Sequence, residues 1–187
     1  MSITKNLVDK MGGTITVESV KGEGSTFDVV IPFEIDWSAP ASKPAAKEAA
    51  PASIRGLRIL LAEDNELNME IARFLLEEEG AIVTEARNGR QAVEAFAQST
   101  PGEIDAILMD VMMPDMNGYA ATREIRRMNR PDAAKVPIIA MTASAFTEDK
   151  LAAKKAGMDE HLTKPLNAQL MLETVSRLAG AYRAGKA

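Results

Sequence analysis

Apolar positions change their spacing twice along this chain, and the changes divide it into three stretches. Near the start, Ile3, Leu7, Val8 and Met11 recur at helical spacing until Gly12-Gly13 stops the run. Residues 14–19 and 26–33 then alternate like two strands around Gly22 and Gly24. Residues 38–53 lose all periodicity: apart from three Pro and three scattered charges they hold only small residues. Such a stretch buries too little apolar surface to offset the entropy of ordering and reads as a semi-extended linker. From Leu57 onward, short apolar strands alternate with amphipathic helices five times. Strands are expected at 58–62, 81–86, 104–109, 136–141 and 161–163. The helices run through Leu67, Ile71, Phe74 and Leu75 as far as Gly80; Ala92, Val93 and Phe96 behind Asn88; and Tyr119, Thr122, Ile125 and Met128 behind Asn117. Two more cover 147–156, closed by Gly157, and Leu170, Val175 and Leu178 behind Asn167.

Parallel strands need a long crossover, so five strand–helix units in series predict an α/β fold, a doubly wound five-stranded parallel sheet with helices on both faces. The first and third strands lack alternation because both of their faces are buried. The expected organisation is an N-terminal α-β-β piece over 1–35, a linker over 36–55 and the α/β domain over 56–187. A piece of about 35 residues falls below the ~40 that usually fold without disulfides or metal, so it reads as the end of something larger.

Composition narrows the chemistry. Apolar residues make up 46 % and charged residues 26 %, near globular averages, while aromatics at 4 % leave the core to aliphatics and 11 Met. With 27 acids against 22 bases, the net charge of −5 argues against a nucleic-acid binder. The absence of Cys removes disulfides, thiolate catalysis and Cys-ligated zinc, and suits a reducing compartment. No stretch reaches the ~18 apolar residues of a membrane span and the N-terminus lacks a secretion signal, so the expected location is cytoplasmic.

Doubly wound sheets bind ligands beyond the carboxyl ends of their strands, where strand order reverses. The residues there are Glu63-Asp64, Asp110, Thr142 and Lys164-Pro165. A flavodoxin-like order 2-1-3-4-5 makes the first and third strands neighbours and sets Glu63, Asp64 and Asp110 side by side. Carboxylates so close raise one another's pKa unless a cation sits among them, and Mg2+, a hard oxygen-seeking ion, fits. One carboxylate can then attack phosphorus and give an acyl phosphate, with Lys164 and the Thr142 hydroxyl on the transferred group.

Glu63-Asp64, Asp110 followed by Met-Met-Pro-Asp-Met-Asn-Gly, Ala140-Met141-Thr142-Ala143 and Lys164-Pro165 together resemble the receiver domain of two-component response regulators over residues 57 to about 182. The resemblance implies that Asp110 is the phosphoacceptor and that Glu63, Asp64 and the Met112 backbone carbonyl complete a magnesium pocket. It further implies that Thr142 and Lys164 contact the phosphoryl group and that the peptide before Pro165 is cis. Where this family commonly has a switch aromatic, three positions before the lysine, this chain has His161, which is smaller and can titrate near neutrality. Phosphorylation is expected to draw Thr142 inward and shift the loop over 143–148.

Residues 2 to about 34, with Met11-Gly12-Gly13, Gly22-Glu23-Gly24-Ser25-Thr26-Phe27 and a strand containing Pro32, resemble the C-terminal end of a histidine kinase ATPase domain. The asparagine box, adenine-reading aspartate and glycine-rich lid of that domain are absent, so ATP binding is not expected. The two resemblances imply the tail of a hybrid histidine kinase, relaying phosphate between a kinase phosphohistidine and a histidine phosphotransfer protein. No output domain follows Ala187, so signalling through protein contacts is expected. A docking module and a magnesium-dependent aspartyl-phosphate phosphatase are the alternatives; the phosphatase class wants a second acid two residues after the nucleophile, where Met112 stands. Isolated strand-end Asp residues are more often turn residues than nucleophiles, and it is the joint presence of Glu63, Asp64, Thr142 and Lys164 that reverses those odds. The Met residues around Asp110 read as packing, Gly22-x-Gly24 as a hairpin turn, Glu77-Glu78-Glu79 as a solvated helix face and Trp37 as a loosely packed side chain.

Overall fold

The computed structural model describes residues 3–22, 24–33, 53–143 and 147–185. Residues 36–52 of the expected linker, Trp37 among them, and part of the expected switch loop, 144–146, lie outside the described residues. The chain divides into two compact units, Met1–Lys47 and Glu48–Ala187.

In the first unit, α1 (Ile3–Lys10) leads into an antiparallel pair, β1 (Thr14–Val20) and β2 (Gly24–Val30). Helix α1 ends as expected at Gly12, whose φ of 68° suits glycine, and the Gly13 N–H closes the turn on the Val8 carbonyl. Strand β2 stops before Pro32, which has no N–H to offer a ladder.

The second unit carries a sheet of order β4-β3-β5-β6-β7, every pair parallel, which in order of appearance is 2-1-3-4-5. Its strands are β3 (Arg58–Ala62), β4 (Ile82–Ala86), β5 (Ala106–Asp110), β6 (Ile138–Thr142) and β7 (Glu160–Thr163). The helices between and after them are α2 (Glu66–Glu78), α3 (Gly89–Gln98), α4 (Gly118–Arg127), α5 (Thr147–Ala156) and α6 (Ala168–Ala184). Alternate residues of each central strand enter opposite cores. Ile59, Leu61, Ala106, Leu108, Ile139 and Met141 pack against α2 and α6 through Met69, Leu76, Met171 and Val175. Leu60, Ile107, Met109, Ile138 and Ala140 pack against α3, α4 and α5 through Phe96, Ile125 and Ala153. Burial on both faces is why β5 and β6 read as unbroken apolar runs. Asn65, Asn88, Asn117 and Asn167 each cap a helix, accepting a backbone N–H three residues on. Ile54 is buried in the core under α2, so ordered packing reaches into the residues read as linker.

Two strands run later than their apolar pattern predicts. Strand β5 starts at Ala106, just after Asp105, which bonds the start of β3 through both its N–H and its carboxylate, and it extends to Asp110, which pairs with Met141. Strand β6 starts at Ile138, after Pro137, which has no N–H to donate although its carbonyl accepts the Ile107 N–H, and it extends to Thr142, which pairs with Thr163. Asp110 and Thr142 are therefore the last residues of their strands rather than the first of the following loops.

Three arginines close the amino-end rim of the sheet, opposite those residues. Arg183 grips Asp105 through Nε and Nη2 at 2.9 and 2.7 Å and donates to the Gly56 carbonyl at 2.7 Å. Asp105 also accepts the Arg58 N–H, which explains a carboxylate inside an apolar run: it is buried but bonded. Arg126 donates to the Gly157, Ala133 and Val136 carbonyls and to Asp159. Arg130 lies 4.2 Å over the Phe96 ring, donates to the Phe96 carbonyl and pairs with Asp132, which also accepts the Gly102 N–H.

Burial pushes the Asp132 carboxyl up, but the Arg130 guanidinium and the Gly102 N–H outweigh it and hold the group below its ordinary 3.8. A depressed folded pKa gives stability that is complete above pH 3.8 and is lost as pH falls through the folded value. Asp132→Asn is therefore expected to cost about 3 kcal/mol at neutral pH, measured by urea unfolding, and to make the loss of stability in acid shallower. A Cβ at Gly118 would strike the Asp110 carbonyl oxygen and approach Met109 Cγ to 2.9 Å. Gly118→Ala is expected to destabilise the unit by about 2 kcal/mol and to displace the Asp110 amide resonance.

Candidate functional site

The carboxyl ends of β3, β5, β6 and β7 bring Glu63, Asp64, Asp110, Thr142 and Lys164 to one rim. The register makes this unavoidable. Glu63 follows Ala62, whose ladder partners are Ala86 and Met109, so Glu63 arrives beside Asp110. Lys164 follows Thr163, and its own N–H donates to the Thr142 carbonyl at 2.7 Å, which fixes the start of the lysine side chain. The next peptide, Lys164–Pro165, is cis.

Glu63 and Asp110 are 2 % and 4 % exposed, Thr142 is buried, and Asp64 opens to solvent. Lys164 Nζ donates to Glu63 Oε2 at 2.5 Å and to Asp110 Oδ2 at 2.6 Å. The other oxygen of Asp110, Oδ1, accepts the Met112 N–H at 3.1 Å. That peptide is held by the loop leading to α4, in which Asp115 adopts φ 61°, Gly118 N–H bonds the Val111 carbonyl and Gly89 N–H bonds the Met116 carbonyl. The Met112 side chain points away from any core and is 74 % exposed.

Three carboxylates face one ammonium. Burial pushes the Asp110 carboxyl above its ordinary 3.8, and the Glu63 charge adds to this against the lowering by Lys164 and the Met112 N–H. Burial alone would lower Lys164, but its hydrogen bonds to Asp110 and Glu63 outweigh it and hold the ammonium above its ordinary 10.5. Glu63, Asp64 and Asp110 each offer a carboxylate oxygen, all within 4.8 Å of one another. This is a hard, oxygen-only donor set with surplus negative charge and one solvent-facing member, and it fits a hard divalent cation rather than a soft one.

His161 does not join this group. It stands on β7 opposite Ala140, and its Nδ1 lies 3.4 Å from Glu160 Oε1. Sequence reading missed two asparagines. Asn68 Nδ2 donates to Glu63 Oε1 at 3.1 Å, and the Asn65 N–H reaches the same oxygen at 3.4 Å. The available signal was a polar residue three positions after a helix cap, a place from which side chains reach back over the helix start. Asn68 and Lys164, with Ile71, Pro165 and Leu166, line a cavity of about 490 Å³ next to the site. Among the described residues no helix is long and apolar enough to cross a membrane.

Known proteins resemble this chain in sequence and fold. The aerobic respiration control sensor protein ArcB of Escherichia coli K12 is 36 % identical over 181 residues, covering 95 % of this chain but 22 % of its own length. This chain thus spans about a fifth of that relative. The receiver domain of sensor histidine kinase PA1611 from Pseudomonas aeruginosa, crystallised with magnesium coordinated in its active site cleft, is 38 % identical with a TM-score of 0.61, covering 67 % of this chain and 98 % of that one. The receiver domain of the Saccharomyces cerevisiae response regulator Ssk1, in co-crystals with the histidine phosphotransfer protein Ypd1, matches at 27 % identity and TM-score 0.60, covering 67 % of this chain and 90 % of that one. Residues 59–176 match the family model of the response regulator receiver domain, and this chain belongs to that family.

Proposed function

We propose that this receiver accepts a phosphoryl group on Asp110 in a two-component phosphorelay. The observation that carries this reading is the bridge of Lys164 Nζ between Asp110 and Glu63, at 2.6 and 2.5 Å, on a buried carboxylate at the carboxyl rim. An Asp110 oxygen attacks the phosphorus of a phosphohistidine; the O–P bond forms as the N–P bond breaks, and the imidazole nitrogen keeps the electron pair and takes up a proton. Burial that raises the basicity of Asp110 makes it the better nucleophile. As the Asp110 charge is consumed, Lys164 is within reach of the incoming phosphoryl oxygen, and the Thr142 hydroxyl supplies a second hydrogen bond. Glu63, Asp64, Asp110 and the Met112 carbonyl would hold Mg2+, which neutralises charge on the transferred group. Transfer to a second histidine reverses the first step, and attack by water returns Asp110 and inorganic phosphate.

Thr142 and His161 would form the switch that reports the phosphate. An inward turn of His161 has to break its contact with Glu160. A histidine-bearing helical partner is supported by helix α2, which presents Leu67, Ile71 and Phe74, 64 %, 49 % and 59 % exposed, at the spacing of one helix face. An apolar stripe of this kind suits a partner helix, and the Ssk1 receiver is known with such a phosphotransfer protein. The proposed whole is the receiver end of a cytoplasmic hybrid histidine kinase segment, with 1–35 the remnant of the ATPase domain and 36–55 the tether. No acid stands two residues beyond Asp110, where Met112 exposes its thioether, so the phosphatase class is disfavoured.

Incubation with a small phosphodonor and Mg2+ is expected to add one phosphate by intact mass, and Asp110→Asn to abolish the adduct. An unmodified wild-type protein would favour a docking module, and continuous phosphate release a phosphatase. Mg2+ at a hundredfold its Kd is expected to stabilise the wild type by about 2.7 kcal/mol in thermal unfolding. In Asp64→Asn most of that gain should vanish.

A further inference from the structure

We infer that Asn68 is the positioning residue of this site: its side-chain amide fixes the Glu63 carboxylate, and through it holds Lys164 between Glu63 and Asp110. The inference rests on the phosphoacceptor reading for its consequence but not for its geometry.

Glu63 is 2 % exposed, so water cannot orient it, and the last torsion of a glutamate is broad and cheap to turn. Its two oxygens are used differently. Oε2 takes the Lys164 ammonium at 2.5 Å. Oε1 takes the Asn68 amide at 3.1 Å, and beyond that only a long contact of 3.4 Å from the Asn65 N–H. A carboxylate can only accept, so the NH2 end of Asn68 must be the one that faces it. Without that donor, Oε1 keeps the long contact alone, and either oxygen of Glu63 can turn to the lysine.

Asn68 is itself well placed to impose an orientation. Its backbone N–H is bound by the Asn65 cap at 3.1 Å in the first turn of α2, so its Cα is fixed by helix geometry. The result is an unbroken series: amide to Glu63, ammonium to Glu63, ammonium to Asp110, with distances of 3.1, 2.5 and 2.6 Å. Asn68 also lines the cavity beside Lys164, so a partner seated there would cover the amide that sets Glu63.

The side chain must be a neutral donor of this length. Asn68→Ala removes the donor, while Asn68→Asp keeps the shape and suits a helix start, but turns an acceptor of like charge towards Glu63. A merely structural Asn68 therefore predicts that Asp is tolerated better than Ala, and a positioning Asn68 predicts the reverse order at the site.

The test uses the full chain and three independent readouts. The side-chain ammonium resonance of Lys164, recorded by NMR without phosphodonor, is expected to move towards that of a solvated lysine in Asn68→Ala and further in Asn68→Asp. The urea midpoint of Asn68→Asp should equal or exceed that of Asn68→Ala. The phosphorylation rate with a small phosphodonor at saturating Mg2+ is expected to fall about tenfold in Asn68→Ala. In a Glu63→Gln background the same substitution should add little, because its path is already cut. An unmoved Lys164 resonance, or full additivity with Glu63→Gln, overturns the inference even if Asp110 is phosphorylated normally. Failure of the wild type to be phosphorylated overturns the functional reading instead, and the Lys164 resonance still decides the role of Asn68.

Discussion

The receiver is organised around a surplus of negative charge that a single ammonium holds in place. Glu63 and Asp110 are both nearly out of reach of water, and in a medium of low dielectric two such carboxylates side by side would drive one of them to take a proton. Lys164 stands between them, and the surroundings keep it charged despite its burial. The balance is deliberately incomplete in charge. With Asp64 at the open side, one positive group answers three negative ones, and the remaining negative charge suits the rim to a hard divalent cation.

Everything else serves to deliver those groups to one point. Parallel pairing fixes the height at which each strand ends, so that Asp110 faces Met141 and Thr142 faces Thr163 in the ladder, with Lys164 one residue on. Helices on both faces keep the central strands dry and therefore stiff. The two rims of the sheet differ in character. At the amino end, Arg126, Arg130 and Arg183 bind carbonyls and acids into closed, satisfied networks. At the carboxyl end, acids are gathered without enough partners, and strain sits nearby in Asp115. One rim is thus closed by arginines whose partners are satisfied, and the other leaves acids in excess of its single lysine.

Much of this was legible in the sequence because it depends on composition and order. The alternation of apolar strands with helices pointed to a doubly wound parallel sheet, and Glu63-Asp64, Asp110, Thr142 and Lys164 could be assigned to the rim by their place after apolar runs. What could not be read depends on where side chains point. The strand limits shifted at their amino ends, where the Asp105 carboxylate is taken by Arg183 and Arg58 and Pro137 has no N–H to offer, although the Asp105 N–H and the Pro137 carbonyl still bond neighbouring strands. Asn68 carries no periodic signal, since a single amide facing Glu63 looks in sequence like any polar residue of a first helical turn. His161 stands on β7 with Nδ1 3.4 Å from Glu160 Oε1, and the inward turn expected of a switch residue there is a matter of movement, which neither sequence pattern nor a single conformation displays.

The grip of Arg183 on both Asp105 and the Gly56 carbonyl has a mechanical meaning. The residues where the folded unit is entered and where its last helix ends are clipped together, at the rim farthest from Asp110. A load at Gly56 is therefore shared with α6 through Arg183 as well as with β3, on the side of the sheet opposite Lys164 and its two carboxylates.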